Sequence, residues 1–140
     1  MRVVILSDIH ANREAFDAVL EAARALSADE TVLLGDLVGY GPDPEYVIER
    51  CARMVEDGAL CVLGNHDQAV VHNRRDMSEN AREAVRWTRH RLSDAHVAFL
   101  GGLPLSAMSE DRLYVHASAA QPAKWRYVRD TDAAAVSLAA

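Results

Sequence analysis

The chain has 140 residues, half of them hydrophobic and 26% charged, with a formal net charge of −6. That length and balance fit one ordinary globular domain and exclude a disordered or fibrous chain. The negative charge disfavours a nucleic-acid binder, which works through clustered Lys and Arg. Two cysteines, Cys51 and Cys61, are too few for a disulfide framework, and both are expected as reduced core residues. With a first strand starting at Arg2 and no apolar run near the ~18 residues of a membrane span, the expectation is a cytoplasmic protein with no membrane partner.

Arg2 to Leu6 is a short β-branched run, the pattern of a strand buried on both faces. A helix follows, capped by Asn12, with Phe16, Val19, Leu20, Ala23 and Leu26 as its inward stripe. Thr31 to Leu34 reads as a second strand. Asp43-Pro44 then opens a helix that buries Val47, Ile48, Cys51, Met54 and Val55 and stops at Gly58. Ala59 to Leu63 is the third strand, and Gly64 to Asp67 has the composition of a turn.

Beyond it, Ser78 to Leu92 predicts a mostly polar helix with Ala81, Ala84, Val85, Thr88 and Leu92 inward, and Asp94 to Leu100 a shorter one. Arg74, Arg75, Arg82, Arg86, Arg89 and Arg91 read as the solvated side of that region, and His72, His90 and His96 as surface residues. Trp87 and Trp125 read as packing residues. Pro104 to Met108 and Leu113 to His116 predict two strands around the turn at 109–111, and Asp130 or Thr131 starts a last helix. Strand, helix, strand, helix, strand is the order of an α/β layered fold with a parallel start to its sheet. In such sheets ligands bind beyond the carboxyl ends of the strands.

Polar groups sit at those ends. Asp8 and His10 follow the first strand, Asp36 the second, Asn65, His66 and Asp67 the third, and His116 the Leu113 strand. Carboxylate, imidazole and amide suit Mn, Fe, Zn or Co rather than a thiolate site. Asp8 and His10, two apart, share a side if their segment is extended. Asp36 has two oxygens and can bridge two metals, and Gly35 and Gly39 permit a tight path around it. Any one of these residues alone is ordinary turn chemistry; the three clusters, each directly after a buried strand, point to one shared metal site.

The segments SDIH (7–10), GDLVGYGP (35–42), GNHD (64–67) and VHAS (115–118) resemble, in order and spacing, the calcineurin-like metallophosphoesterase superfamily, and within it the bacterial phosphodiesterases and phosphatases similar to diadenosine tetraphosphatase. The resemblance implies an αββα sandwich, of which residues 1–140 would be the N-terminal portion, with two mixed sheets flanked by helices. It implies two divalent metal ions, Mn favoured: Asp8 and His10 hold the first, Asp36 bridges, and Asn65 and His116 hold the second. His66 would protonate or hydrogen-bond the leaving oxygen, with Asp67 orienting it. The implied activity is hydrolysis of phosphomonoesters or phosphodiesters by a hydroxide between the metals, with a small-molecule phosphate ester, a nucleotide among the candidates, as substrate.

Ala11 and Ala117 stand where the family often has glycine. The family's Gly-His-Thr/Ser-x-His motif has no counterpart, and no histidine follows His116. The expectation is therefore a C-terminally truncated domain, weak or inactive by itself and prone to self-association through an uncovered apolar face. The competing reading is a non-catalytic scaffold of the same fold that binds a protein.

Overall fold

The computed structural model describes residues 1–72 and 77–140, so Arg74 and Arg75 of the basic stretch lie outside the described residues. Strand β1 (Val3–Leu6), helix α1 (Arg13–Arg24), strand β2 (Glu30–Leu33), helix α2 (Pro44–Glu56) and strand β3 (Leu60–Cys61) form the first half. All three strands are parallel with β2 in the centre, Val3 facing Glu30 and Leu6 facing Leu33, and Leu33 in turn facing Cys61. Their carboxyl ends therefore share one edge, where the polar clusters leave the sheet.

The α1 N-cap is Asn12, whose side chain accepts from the Ala15 N–H at 3.0 Å. Its buried face is narrower than the periodicity predicted: Phe16 and Leu20 are buried, whereas Val19 and Leu26 are about half exposed. Helix α2 buries Val47, Ile48 and Cys51 and closes with Gly58 at φ +101°. There the Gly58 N–H bonds the Val55 carbonyl at 3.0 Å and the Ala59 N–H the Met54 carbonyl at 2.8 Å. That pair of bonds satisfies two carbonyls a helix end otherwise leaves bare.

Helix α3 (Asn65–His72) is the main departure from the expected elements. Gly64 to Asp67 is not a free-standing turn; Asn65, His66 and Asp67 are the first turn of α3, which buries Ala69 and Val70. Helices α4 (Glu79–Arg91) and α5 (Asp94–Gly102) pack against α3, with Ala81, Val85, Thr88, Leu92 and Leu100 buried. His96 belongs to a capping box with Ser93 at the start of α5 rather than to open surface.

Strands β4 (Ser106–Ser109) and β5 (Arg112–Val115) form an antiparallel pair joined at Glu110-Asp111. Pro104, lacking an N–H, stays outside β4 and offers its carbonyl to the Leu63 N–H at 2.8 Å. The short helix α6 (Thr131–Leu138) is capped by Asp130 and has no buried residue. Ile5, expected to be buried, is 52% exposed, because β1 is the outer strand of its sheet among the described residues. No described helix is long and apolar enough to cross a membrane.

Cys51 and Cys61 are buried free thiols, and burial pushes the Cys61 thiol up to about 12. Both should stay unmodified by a thiol reagent until the protein is unfolded. Leu100→Ala, removing a fully buried side chain, should cost about 2–5 kcal/mol in chemical denaturation. Val136→Ala, on the exposed face of α6, should stay within about 0.5 kcal/mol.

Candidate metal centre

The loops after β1 and β2 and the start of α3 are locked by backbone bonds. Asp8, His10 and Ala11 donate their N–H groups to the carbonyls of Gly35, Asp36 and Leu37 at 3.1, 2.9 and 2.8 Å. Asp8, His10, Ala11, Asp36 and Tyr40 all have positive φ, between 50° and 61°. The Asp8–His10 stretch is thus not extended, as the spacing argument assumed; two left-handed residues bring their side chains together. Each such residue costs about 1–2 kcal/mol, and strain of this kind persists where surrounding bonds over-determine it.

Glycine makes the approach feasible. A Cβ on Gly64 would collide with the Asp36 backbone nitrogen and its Oδ1, and one on Gly35 with the Gly64 backbone. A Cβ on Gly39 would lie 2.8 Å from His66 Nδ1.

The side chains meet at one place. Asp8, Asp36 and His116 can each offer a ligand atom, all within 4.8 Å of one another. His10 Nε2 lies 3.7 Å from Asp8 Oδ1 and 3.8 Å from Asp36 Oδ2. His116 Nε2 lies 3.1 Å from Asn65 Oδ1 and 3.4 Å from Asp36 Oδ2. The structure therefore gathers all five expected ligands.

The tautomers matter more than the distances. His10 Nδ1 is 3.1 Å from the Val38 carbonyl, and His116 Nδ1 is 2.6 Å from the Leu34 carbonyl. A carbonyl only accepts, so both Nδ1 atoms carry hydrogen. In the neutral ring each Nε2 is then a lone pair aimed at carboxylate and amide oxygens, which are acceptors too. Such a knot needs a proton or a cation between its members. Without a cation the proton wins: burial lowers the His116 pKa, but the hydrogen bond and charge of Asp36 outweigh it and push the imidazole up to about 9. Burial raises the Asp36 carboxyl, yet His116 and the His66 N–H, at 2.8 Å from Oδ1, hold it below its ordinary value. Imidazoles anchored through Nδ1–H on a carbonyl are what metal-ligating histidines show, so the donor set fits divalent cations.

His66 is buried beside this cluster, its ring 4.9 Å from that of His10 and 4.7 Å from that of Tyr40. Burial lowers its pKa below the usual imidazole value. Asp67 was expected to orient His66; its oxygens accept from the Val38 N–H at 3.1 Å and the Gly64 N–H at 3.0 Å. It thus ties the β2 loop to the α3 start, and burial pushes its carboxyl up to about 7. Any influence on His66 runs through the backbone.

A cleft of about 380 Å³ opens from Asn65 and His66 and is lined by Tyr40, Met77, Lys124, Trp125 and Tyr127. None of the last five stood out in the sequence as a site residue. Trp125, read from the sequence as a packing residue, borders the cleft, its ring 5.9 Å from that of His116. His72 and His90 are exposed.

Comparison with known proteins decides the lineage. The sequence profile of the calcineurin-like phosphoesterases matches residues 1–133. The chain belongs to the calcineurin-like phosphoesterase family. A metallophosphoesterase from Sphaerobacter thermophilus is 37% identical, with a TM-score of 0.80 over 99% of this chain and 56% of that one. An uncharacterised protein of Methanocaldococcus jannaschii is 30% identical over 90% of this chain and 53% of its own length. A symmetrical bis(5′-nucleosyl)-tetraphosphatase of an Acidovorax species is 30% identical over 84% of this chain and 44% of its own. The chain thus spans about half the length of the curated relatives it matches, and its mixed α/β architecture is that of the family.

Gly64 and Gly58 separate site clearance from backbone preference. Gly58→Ala meets no atom within 4 Å and should cost only the left-handed penalty of about 1–2 kcal/mol. Gly64→Ala drives a methyl into Asp36 and should cost about 3 kcal/mol or more. Equal losses in denaturant melts would show that the site backbone yields.

Proposed function

We propose that this chain carries the metal-binding part of a phosphoesterase that hydrolyses phosphomonoesters or phosphodiesters with two divalent cations, Mn favoured. The observation that carries the reading is the pair of imidazoles, His10 and His116, each fixed through Nδ1–H on a carbonyl with Nε2 aimed at Asp36. Asp8 and His10 would hold one ion, Asn65 and His116 the other, and Asp36 both. That division assigns Asp8 and His116, whose ligand atoms fall in one group with Asp36, to different ions sharing the central carboxylate. When bound, the ions supply positive charge for the phosphoryl oxygens and lower the pKa of an attacking water.

The protein's own groups do the rest. His66, at the cleft floor, donates a hydrogen bond or proton to the leaving oxygen; burial keeps it neutral until an anionic phosphate lies beside it and raises its pKa. Asp67 is a positioning residue that fixes the loop carrying Val38 and Gly39 against α3. The tetraphosphatase named among the relatives supports a nucleotide or dinucleotide as the substrate.

Asp36→Asn in the full-length protein should abolish tight metal binding, read by elemental analysis after dialysis, together with hydrolysis. A carboxylate that merely capped its loop would instead cost about 1 kcal/mol of stability and leave metal content unchanged.

His66→Asn should keep both metals and lose about 10²–10⁴-fold in turnover. The loss should be smallest for aryl phosphates, whose leaving groups need little protonation. The same loss across leaving groups of different pKa would remove the acid role.

A further inference from the structure

We propose that the cleft beside His66 is a binding site for a planar aromatic group attached to the phosphate, with Tyr40 and Trp125 as its walls and Lys124 as a phosphate contact. Both aromatic residues are held in left-handed backbone, Tyr40 at φ +61° and Trp125 at φ +52°. Bulky side chains rarely adopt that conformation, and sites that bind or react are where such outliers are kept. Trp125 follows the short helical turn Pro122–Lys124, whose first flanking residue, Gln121, is also left-handed at φ +68°. The whole hook is therefore bent to deliver Lys124 and Trp125 to one place.

The indole is fixed as well as placed. Its N–H donates to Gln68 Oε1 at 2.9 Å, tying the hook to α3, the helix that also carries Asn65 and His66. Tyr40 is 57% exposed, its ring set against the rings of His10 and His66. Met77, Ala69 and Ala81 add apolar lining. An exposed tyrosine, a fixed indole and a methionine offer faces for stacking, with polar groups of Asn65, Ser78 and Tyr127 beside them. Lys124, the one cation among the described residues that line the cleft, supplies a point charge suited to a phosphate oxygen. The cleft thus takes a ring and the anion it is linked to, with the reacting phosphorus toward His66. This assignment rests on the proposed hydrolytic reading only for that last orientation.

The test compares two probes that differ by the ring alone, adenosine 5′-monophosphate and ribose 5-phosphate, by calorimetry on the full-length protein. The nucleotide should bind on the order of tenfold tighter or more, the contribution of one stacked base. Tyr40→Asn removes a ring while keeping a residue that tolerates positive φ; it and Trp125→Leu should each bring the nucleotide toward ribose 5-phosphate while leaving ribose 5-phosphate unchanged. Lys124→Ala should weaken both probes alike, and Trp87→Leu, outside the cleft, neither. Should Trp125→Leu unfold, Tyr40→Asn and Lys124→Ala decide the matter. Equal affinity for the two probes, no binding of either, or a preference that survives the loss of Tyr40 overturns the proposal. Aryl phosphate hydrolysis without ring preference would sink the cleft and spare the hydrolytic reading; ring preference without any hydrolysis would do the reverse.

Discussion

Five acceptors pointed at one another organise the site end of the molecule. Nε2 of His10 and Nε2 of His116 both face Asp36 Oδ2, with Asp8 and Asn65 oxygens beside them. With both imidazoles neutral the arrangement is unfavourable, because lone pairs repel and the buried Asp36 carboxylate loses hydration; in the bare protein a proton on His116 relieves part of it. The Leu34 and Val38 carbonyls forbid the escape of flipping a tautomer, since each occupies the Nδ1 proton. A cation relieves all of these contacts at once. The rest of the local structure can be understood as the means of keeping the acceptors from drifting apart when no cation is there.

Those means are backbone rather than side chain. The loops after β1 and β2 exchange N–H and carbonyl groups over four residues, continuing the parallel ladder past the ends of the strands. Positive φ at Asp8, His10 and Asp36 turns their side chains inward. Gly35 and Gly64 let the ends of β2 and β3 touch, close enough that His66 N–H reaches Asp36 Oδ1. Asp67 fastens the same two segments from beneath. Parallel strands are the economical scaffold for this, because they bring successive loops to one edge without any further turn of the chain.

The clustered residues were legible in the sequence because each follows a short strand. Asp8, His10, Asp36 and Asn65 share one edge of the parallel sheet, and His116 joins them from the end of β5 in the second sheet. Helix α3 was not legible. Its first turn is Asn65-His66-Asp67, a composition that local chemistry assigns to turns, and its helical register is set by burying Ala69 and Val70 under α4 and α5. The Asp67 role was lost for a related reason: a carboxylate after a histidine suggests a pair, whereas the partners are two N–H groups, one of them 29 positions away. Val19 and Ile5 were read as buried because periodicity reports an apolar residue, not whether anything covers it. Tyr40 and Trp125 carry no spacing signal at all. Their placement depends on left-handed backbone that no propensity of tyrosine or tryptophan favours.

Electrostatics and shape divide the labour in a protein of net charge −6. An acidic surface repels a phosphate ester at long range, so on the proposed reading attraction is local and comes from what the acceptor cluster holds and from Lys124. That charge is indifferent to what the phosphate carries, since any ester presents the same oxygens. Discrimination between esters must then come from groups that reach past the phosphate. The described residues that line a cavity with Asn65 and His66 include two tyrosines, one tryptophan and a lysine. The aromatic wall touches the cluster only through ring contacts, Tyr40 with His10 and His66 and Trp125 with His116. On the proposed reading, selectivity would reside in the hook at 121–125 and in Tyr40, the residue where the β2 loop leaves the acceptor cluster and becomes surface.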